Sequence, residues 1–214
     1  MFTLYSADFT GNPGNCSYPH KTVVMNTDNL REAVCHDYVC AEYKNHYRNG
    51  ENFISADCLP VDCDNDHSED PKDWVTPADV LEAFPGVSIA IHYSRFNNRE
   101  KNGKPARPKF HVLFPIDRMT DATLYSDMKK LVNSIFPYFD TKALDAARFF
   151  FGTQEPNVEL YPGRMNLTEF LNNDEFDAGL PGGHEKDAVI PEGSRNAVMS
   201  RFAGIVIKKY GDSE

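Results

Sequence analysis

Two apolar runs constrain this chain more than any other feature: residues 87–93, VSIAIHY, and residues 109–114, KFHVLF. Both alternate and are rich in β-branched and aromatic residues, so each predicts a half-buried strand. The polar loop between them makes them neighbours in one sheet. In the second run, alternation sets Phe110, Val112 and Phe114 on one face and Lys109, His111 and Leu113 on the other. The phenylalanine side reads as core and the lysine–histidine side as the open face of the sheet.

The surrounding sequence supplies the rest of an α+β pattern. Asp28 is a good N-cap, and apolar residues at 30, 34, 38 and 39 suggest a helix to about Tyr43. Residues 52–64 read as an extended segment whose last part is a strand. Thr76 followed by Pro77 opens a short helix over 77–84, ended by Pro85 and Gly86. Leu124, Met128, Leu131, Val132 and Ile135 recur at helical spacing over 121–136, with Thr120 as cap. Residues 148–151 (RFFF) form a final short strand. The order strand, helix, strand, strand, helix, strand is that of a ferredoxin-like or RRM-like βαββαβ sheet with helices on one face, preceded here by an N-terminal α/β extension. Residues 1–172 are thus expected to form one principal domain. Residues 173–191, dense in Asn, Asp, Glu, Gly and Pro, read as a linker, and 192–214 as the start of a C-terminal helical module that continues in a longer protein.

Composition narrows the function classes. With 22 Lys and Arg against 32 Asp and Glu, the formal charge is -10, which disfavours a protein that coats nucleic acid by electrostatics alone. Residues 95–109 are a local exception, with Arg95, Arg99, Lys101, Lys104, Arg107 and Lys109 against a lone Glu100. That loop reads either as a solvated hairpin tip or as a nucleic-acid contact. No apolar run approaches the ~20 residues of a membrane span, and the N-terminus lacks a secretory signal, so the cytoplasm is the simplest address. The five cysteines fit no disulfide framework. Cys16, His20, Cys35, His36 and Cys40 offer a zinc alternative to scattered thiols.

The chemistry points to the acids. Asp62 and Asp64, two apart on a strand, project from the same face, and Asp66 continues the row. Their mutual repulsion is relieved if they hold Mg2+ or Mn2+, hard cations that prefer carboxylate oxygens and share phosphate ligands. The bland alternative is a solvated strand end. A calcium loop is discounted, because His67 and Asp73 stand where an EF-hand needs Gly and Glu. Lys109 and His111 lie on the neighbouring strand, where they can contact nucleotide phosphates. Asp140 either caps a helical turn or adds a third carboxylate, with Asp145 competing for that part; Arg148 follows as a cation able to meet a triphosphate.

Together these motifs resemble the archaeo-eukaryotic primase superfamily, in particular the primase-polymerase domains of phage, plasmid and other mobile-element replication proteins. Asp62-Cys63-Asp64 looks like its first motif, Lys109-Phe110-His111 its second and Phe139-Asp140 its third, with Arg148 similar in placement to a later arginine of eukaryotic relatives. The resemblance covers roughly residues 52–152, and the segment from Gly193 resembles the helical module that follows such domains. Asp66 is an extra acid beyond the first motif, and no compact zinc module is present.

The resemblance implies a DNA primase or polymerase that joins NTPs or dNTPs on a single-stranded DNA template, with a helicase domain in cis or in trans as a further partner. Two metal ions ~4 Å apart would be held by Asp62, Asp64 and Asp140. Lys109, His111, Arg148 and Arg107 would bind the nucleotide, and Ser94, Arg95, Lys101 and Lys104 the template. Two rivals stand beside it: a metal-dependent nuclease or phosphohydrolase, which clustered acids with a histidine serve equally well, and a non-catalytic RRM-like single-strand binder, which would need exposed aromatics on the sheet face.

Overall fold

The computed structural model describes residues 1–101 and 103–172; the expected linker and C-terminal helical module lie outside the described residues. The chain runs β1 (Phe2–Ser6), β2 (His20–Val24), α1 (Thr27–Val34), β3 (Tyr38–Val39), β4 (Ala41–Tyr43), β5 (Phe53–Cys63), α2 (Pro77–Ala83), β6 (Ile89–Tyr93), β7 (Phe110–Met119), α3 (Ala122–Ile135), β8 (Phe149–Phe150), β9 (Val158–Tyr161) and α4 (Leu167–Asn172). This is a mixed α+β fold with two antiparallel sheets, ordered β2-β1-β3-β8 and β4-β5-β7-β6-β9.

The two apolar runs form β6 and β7, and β5 pairs along the other side of β7, so that Asp62, His111 and His92 lie in one row across three strands. On the opposite face Phe110, Val112, Phe114, Val61 and Ile91 pack against Val80 of α2, Val132 and Ile135 of α3 and Phe170 of α4. The local signals explain those helices. Thr76 and Asp79 form a capping box ahead of Pro77, which satisfies end amides that would otherwise lack partners. In α3 the cap is Asp121, whose carboxylate accepts from the amides of Thr123 and Leu124; the expected cap, Thr120, lies one residue earlier.

Three expectations are corrected. The helix expected over 28–43 is capped by Asn26 and ends at Val34. Beyond it the buried carboxylate of Asp37 accepts from the amides of Gly11, Asn12 and Gly152, and Tyr38 and Val39 pair as a strand with β1 and β8. A short apolar run fits either period, and here long-range pairing decides it. The strand expected over 148–151 forms as β8 but belongs to the N-terminal sheet, because the edges beside β5 and β6 are already taken by β4 and β9. Finally, the face expected to be open is covered. Leu4, Leu30, Val34, Tyr38 and Phe150 pack onto Cys58, Ala90 and Leu113, forming a second core between the sheets.

One residue, Cys40, separates β3 in one sheet from β4 in the other. No helix among the described residues is long and apolar enough to cross a membrane.

Candidate metal centre

At the end of β5 the inter-sheet core gives way to acids. Asp62, Asp64 and Asp140 each offer a carboxylate oxygen, and these atoms lie within 4.8 Å of one another. Asp62 is the next-to-last residue of β5 and Asp64 lies just past its end. The chain then turns through Asn65, which has a positive φ of 52°. The buried side chain of Asn65 donates to the carbonyls of Val75 and Pro108 and accepts from the Val75 amide. Those three bonds fix the exit of the acidic strand; an asparagine tolerates the left-handed conformation better than most residues. Asp140 is brought in by its own amide, which donates to the Asp62 carbonyl at 2.7 Å. Its carboxylate also accepts from the Lys142 amide, so it caps a 3-10 turn, Thr141–Ala143, while facing the other two acids. Asp145 is elsewhere: its carboxylate accepts from the Ala147 amide and its carbonyl from Lys129.

The cations around the cluster differ in what they have left to offer. The amino group of Lys109 is buried between the Asp64 carbonyl, the Asp64 carboxylate at 3.0 Å and Asp66 at 3.6 Å. Arg107 is only 1% exposed; its Nη1 donates to the carbonyls of Asn65 and Ser68, its buried Nη2 makes no hydrogen bond, and the guanidinium lies near Asp66, Glu69 and the Trp74 ring. Arg107 therefore holds the loop after Asp64. Arg148 is more available: it lies 3.7 Å from Asp62, and its buried Nε has no hydrogen-bond partner. His111 approaches the other oxygen of Asp62, Oδ1, at 3.7 Å, and that oxygen is likewise buried and unpartnered. Asp66 pairs with Lys104, Arg107 and Lys109. Partial burial works upward on its carboxyl, but the three cations outweigh it and hold the pKa below the ordinary range.

Electrostatics mark Asp62 apart. Burial, and then the neighbouring charge of Asp64, push its carboxyl up to about 7 against the downward pull of Arg148. Burial pushes His111 down to about 3 and His92 well below its ordinary value, so both imidazoles are neutral near pH 7. A buried carboxylate is costly unless paired or bound to metal, and an orphaned oxygen facing two more carboxylates is the donor set a hard divalent cation takes. The residues fit such an ion.

Two cavities flank the loop between β6 and β7. One of about 130 Å3 is lined by Asp64, Asp66, Lys101, Lys104, Pro105 and Lys109. A larger one of about 500 Å3 includes Thr10, Ser94, Arg95, Asn97, Arg99 and Thr153 in its lining. In its wall the Arg95 guanidinium stacks 4.1 Å from the Phe151 centroid and 5.2 Å from that of Phe96. The loop residues expected to bind template thus divide: Ser94 and Arg95 line the larger cavity, Lys101 and Lys104 the smaller one beside Asp64 and Asp66.

The zinc alternative does not assemble: His20 pairs with Asp8, Cys40 is buried in the inter-sheet core, and Cys16 and Cys35 bond to local carbonyls. Sequence reasoning missed Asn65, Tyr38 and His92. Asn65 carried a signal, a residue tolerant of positive φ immediately after the paired acids; Tyr38 and His92 sat inside apolar runs and carried none.

The fold and site define an α+β protein with a carboxylate trio at a strand end, one member buried and two half-buried, flanked by a histidine and an arginine. No protein-family model matches the chain, and no curated protein matches it. Among solved structures it is similar to the AEP domain (PP-N190) of the primase-polymerase of cyanophage S-2L, with a TM-score of 0.42 and 13% identity over 76% of this chain and 81% of that one.

Proposed function

We propose that this protein is a divalent-metal-dependent nucleotidyl transferase of the primase-polymerase kind, joining NTPs or dNTPs on a single-stranded DNA template. The observation that carries the reading is the unpartnered Asp62 Oδ1 inside the trio of Asp62, Asp64 and Asp140, with His111 and Arg148 beside it. Divalent ions held there, Mg2+ or Mn2+, would lower the pKa of an attacking hydroxyl and neutralise charge on a transferring phosphate.

The chain's own residues do the rest. Arg148, with a free buried Nε, is placed to donate to a phosphate oxygen, and the Nε2 edge of His111 faces the same space. Lys109 keeps Asp64 turned toward the cluster by holding its carbonyl and its carboxylate at once. Arg107 and Asn65 fix the loop that follows. Ser94 and Arg95 offer the larger cavity to the template strand, where an arginine already stacked on aromatics meets phosphates or bases with little ordering cost.

The covered sheet face weighs against a non-catalytic RRM-like binder, since it exposes no aromatic platform. The nuclease reading is separated by experiment. Labelled nucleotides, single-stranded DNA and Mn2+ are incubated with the protein: new oligonucleotides are expected, and loss of synthesis in Asp62→Ala/Asp64→Ala with retained folding. Shortening of the DNA without synthesis would establish the nuclease instead, and full synthesis by the double variant would remove the trio from catalysis.

A further inference from the structure

Behind the acid cluster His111 is tied into a buried polar network with Tyr38 and His92, neither of which has a part in the chemistry above. The hydroxyl of Tyr38 is 3.0 Å from His92 Nδ1 and 3.1 Å from His111 Nδ1, and the two Nδ1 atoms are 3.3 Å apart. All three side chains are buried, Tyr38 and His92 completely. On its far side His92 Nε2 meets the Thr153 hydroxyl at 3.2 Å, in the wall of the larger cavity. On the near side His111 Nε2 faces Asp62. Placing a tyrosine and two histidines among apolar neighbours is costly unless each polar atom is satisfied.

Proton counting leaves little choice. Two Nδ1 atoms at this separation cannot both carry hydrogen, and the single hydroxyl proton of Tyr38 can go to only one of them. With Asp62 ionised, as a metal ligand must be, a His111 protonated on Nδ1 would turn its Nε2 lone pair toward the Asp62 carboxylate and the two would repel. The satisfying arrangement has the Tyr38 hydroxyl donating to His111 Nδ1, His92 Nδ1–H donating to the Tyr38 oxygen, and the Thr153 hydroxyl donating to His92 Nε2. His111 is then left with its hydrogen on Nε2, aimed at the acid cluster. A hydrogen bond at one ring nitrogen is the general means of choosing what the other can do.

We infer that Tyr38 is a positioning residue: its hydroxyl fixes His111 as an Nε2–H donor, directed at the anionic phosphate of a substrate held beside Asp62, and His92 with Thr153 holds Tyr38 in that role. The phosphate target rests on the nucleotidyl-transfer reading; the tautomer assignment does not. Tyr38→Phe removes the donor while preserving the ring that stacks on Phe150 at 5.6 Å between centroids.

The test is nitrogen-15 NMR of histidine-labelled protein, in which protonated and unprotonated ring nitrogens give separate signals. At pH 8, where Asp62 is ionised, wild-type His111 is expected as the Nε2–H tautomer. In Tyr38→Phe its signals are expected to move toward the Nδ1–H form, with apparent KM for nucleotide about tenfold higher, the value of one hydrogen bond to a charged group, and Mn2+ affinity unchanged. An Nδ1–H His111 in the wild type overturns the proposal whether or not the variant folds. So do identical His111 signals in the two proteins, or an unchanged KM in an active Tyr38→Phe variant. If the wild type makes no oligonucleotides, the polymerase reading and the phosphate target fail while the spectrum still decides the tautomer.

Discussion

The two faces of the five-stranded sheet differ in kind where its three central strands, β5, β7 and β6, run side by side. Toward the helices, β7 presents Phe110, Val112, Phe114 and Ile116, a row built for packing. Toward the N-terminal sheet the same strand presents Leu113 and then His111, continued sideways by His92 and Asp62. Moving one residue along β7 therefore crosses from groups that stabilise the fold to polar groups whose burial costs stability. Even the helix side has one buried cation, Lys129, whose amino group donates to the Asp145 carbonyl and whose pKa burial lowers to about 8. The contrast teaches that substitutions on the two faces should move stability in opposite directions.

The largest expected effect lies on the apolar face. Phe114→Ala should lower unfolding free energy by about 3–5 kcal/mol, read by denaturant titration; a loss under about 1 kcal/mol would mean that this face is not the main core. On the polar face, Asp62→Asn should do the reverse. A carboxyl with a folded pKa of about 7 and an unfolded value of about 3.9 holds its proton more tightly when folded, so wild-type stability is lost as pH rises from about 4 to about 7. Asp62→Asn is expected to be more stable than wild type by about 2 kcal/mol at pH 8, with the difference vanishing near pH 4. A variant less stable at pH 8 would show Asp62 to be a structural residue.

The same proton competes with metal. Mn2+ affinity is expected to rise as pH is raised to about 7 and to level off above it, since the ion needs the ionised carboxylate; isothermal titration at three pH values checks this, and a flat profile between pH 5.5 and 8 removes Asp62 from the ligand set. Smallest is Arg148→Ala, expected to raise apparent KM for nucleotide by about tenfold with little change in folding. An unchanged KM would leave Arg148 as a partner of Asp62 alone.

The sequence carried one face of this comparison better than the other. Strands β5, β6 and β7 and helices α2 and α3 were legible because each buries a periodic stripe over several residues and carries its own cap or breaker. The paired acids were legible because a spacing of two fixes a common face, which Asp64 keeps although it lies just past the end of β5. The N-terminal sheet was not, since β3 and β8 are two residues each and are held by partners far away in the chain. Period-2 alternation needs more length than that to differ from a helical turn. The cover over His111 was invisible for the same reason: Phe150 reads as one more aromatic until its partner, Tyr38, is known. The choice of Asp140 over Asp145 depended on a backbone bond to Asp62, which no side-chain pattern announces.

The pairing of β3 with β8, Val39 against Phe149 and Tyr38 against Phe150, has a consequence for the order of assembly. Contacts between residues so distant in sequence form late, because the intervening loop must close before they gain anything. The part of the helix-side core running from β5 to α3 joins elements closer in sequence and can condense first, with α4 added after it. A ribosome-bound chain that has not yet released Phe150 has its acids on β5 and its histidines on β6 and β7, but not the strand that lies against both His111 and Tyr38. The acid cluster and its histidines are thus completed late, and a nascent or C-terminally clipped chain ending before residue 149 should be folded in part and lack the Mn2+ affinity expected of the whole chain.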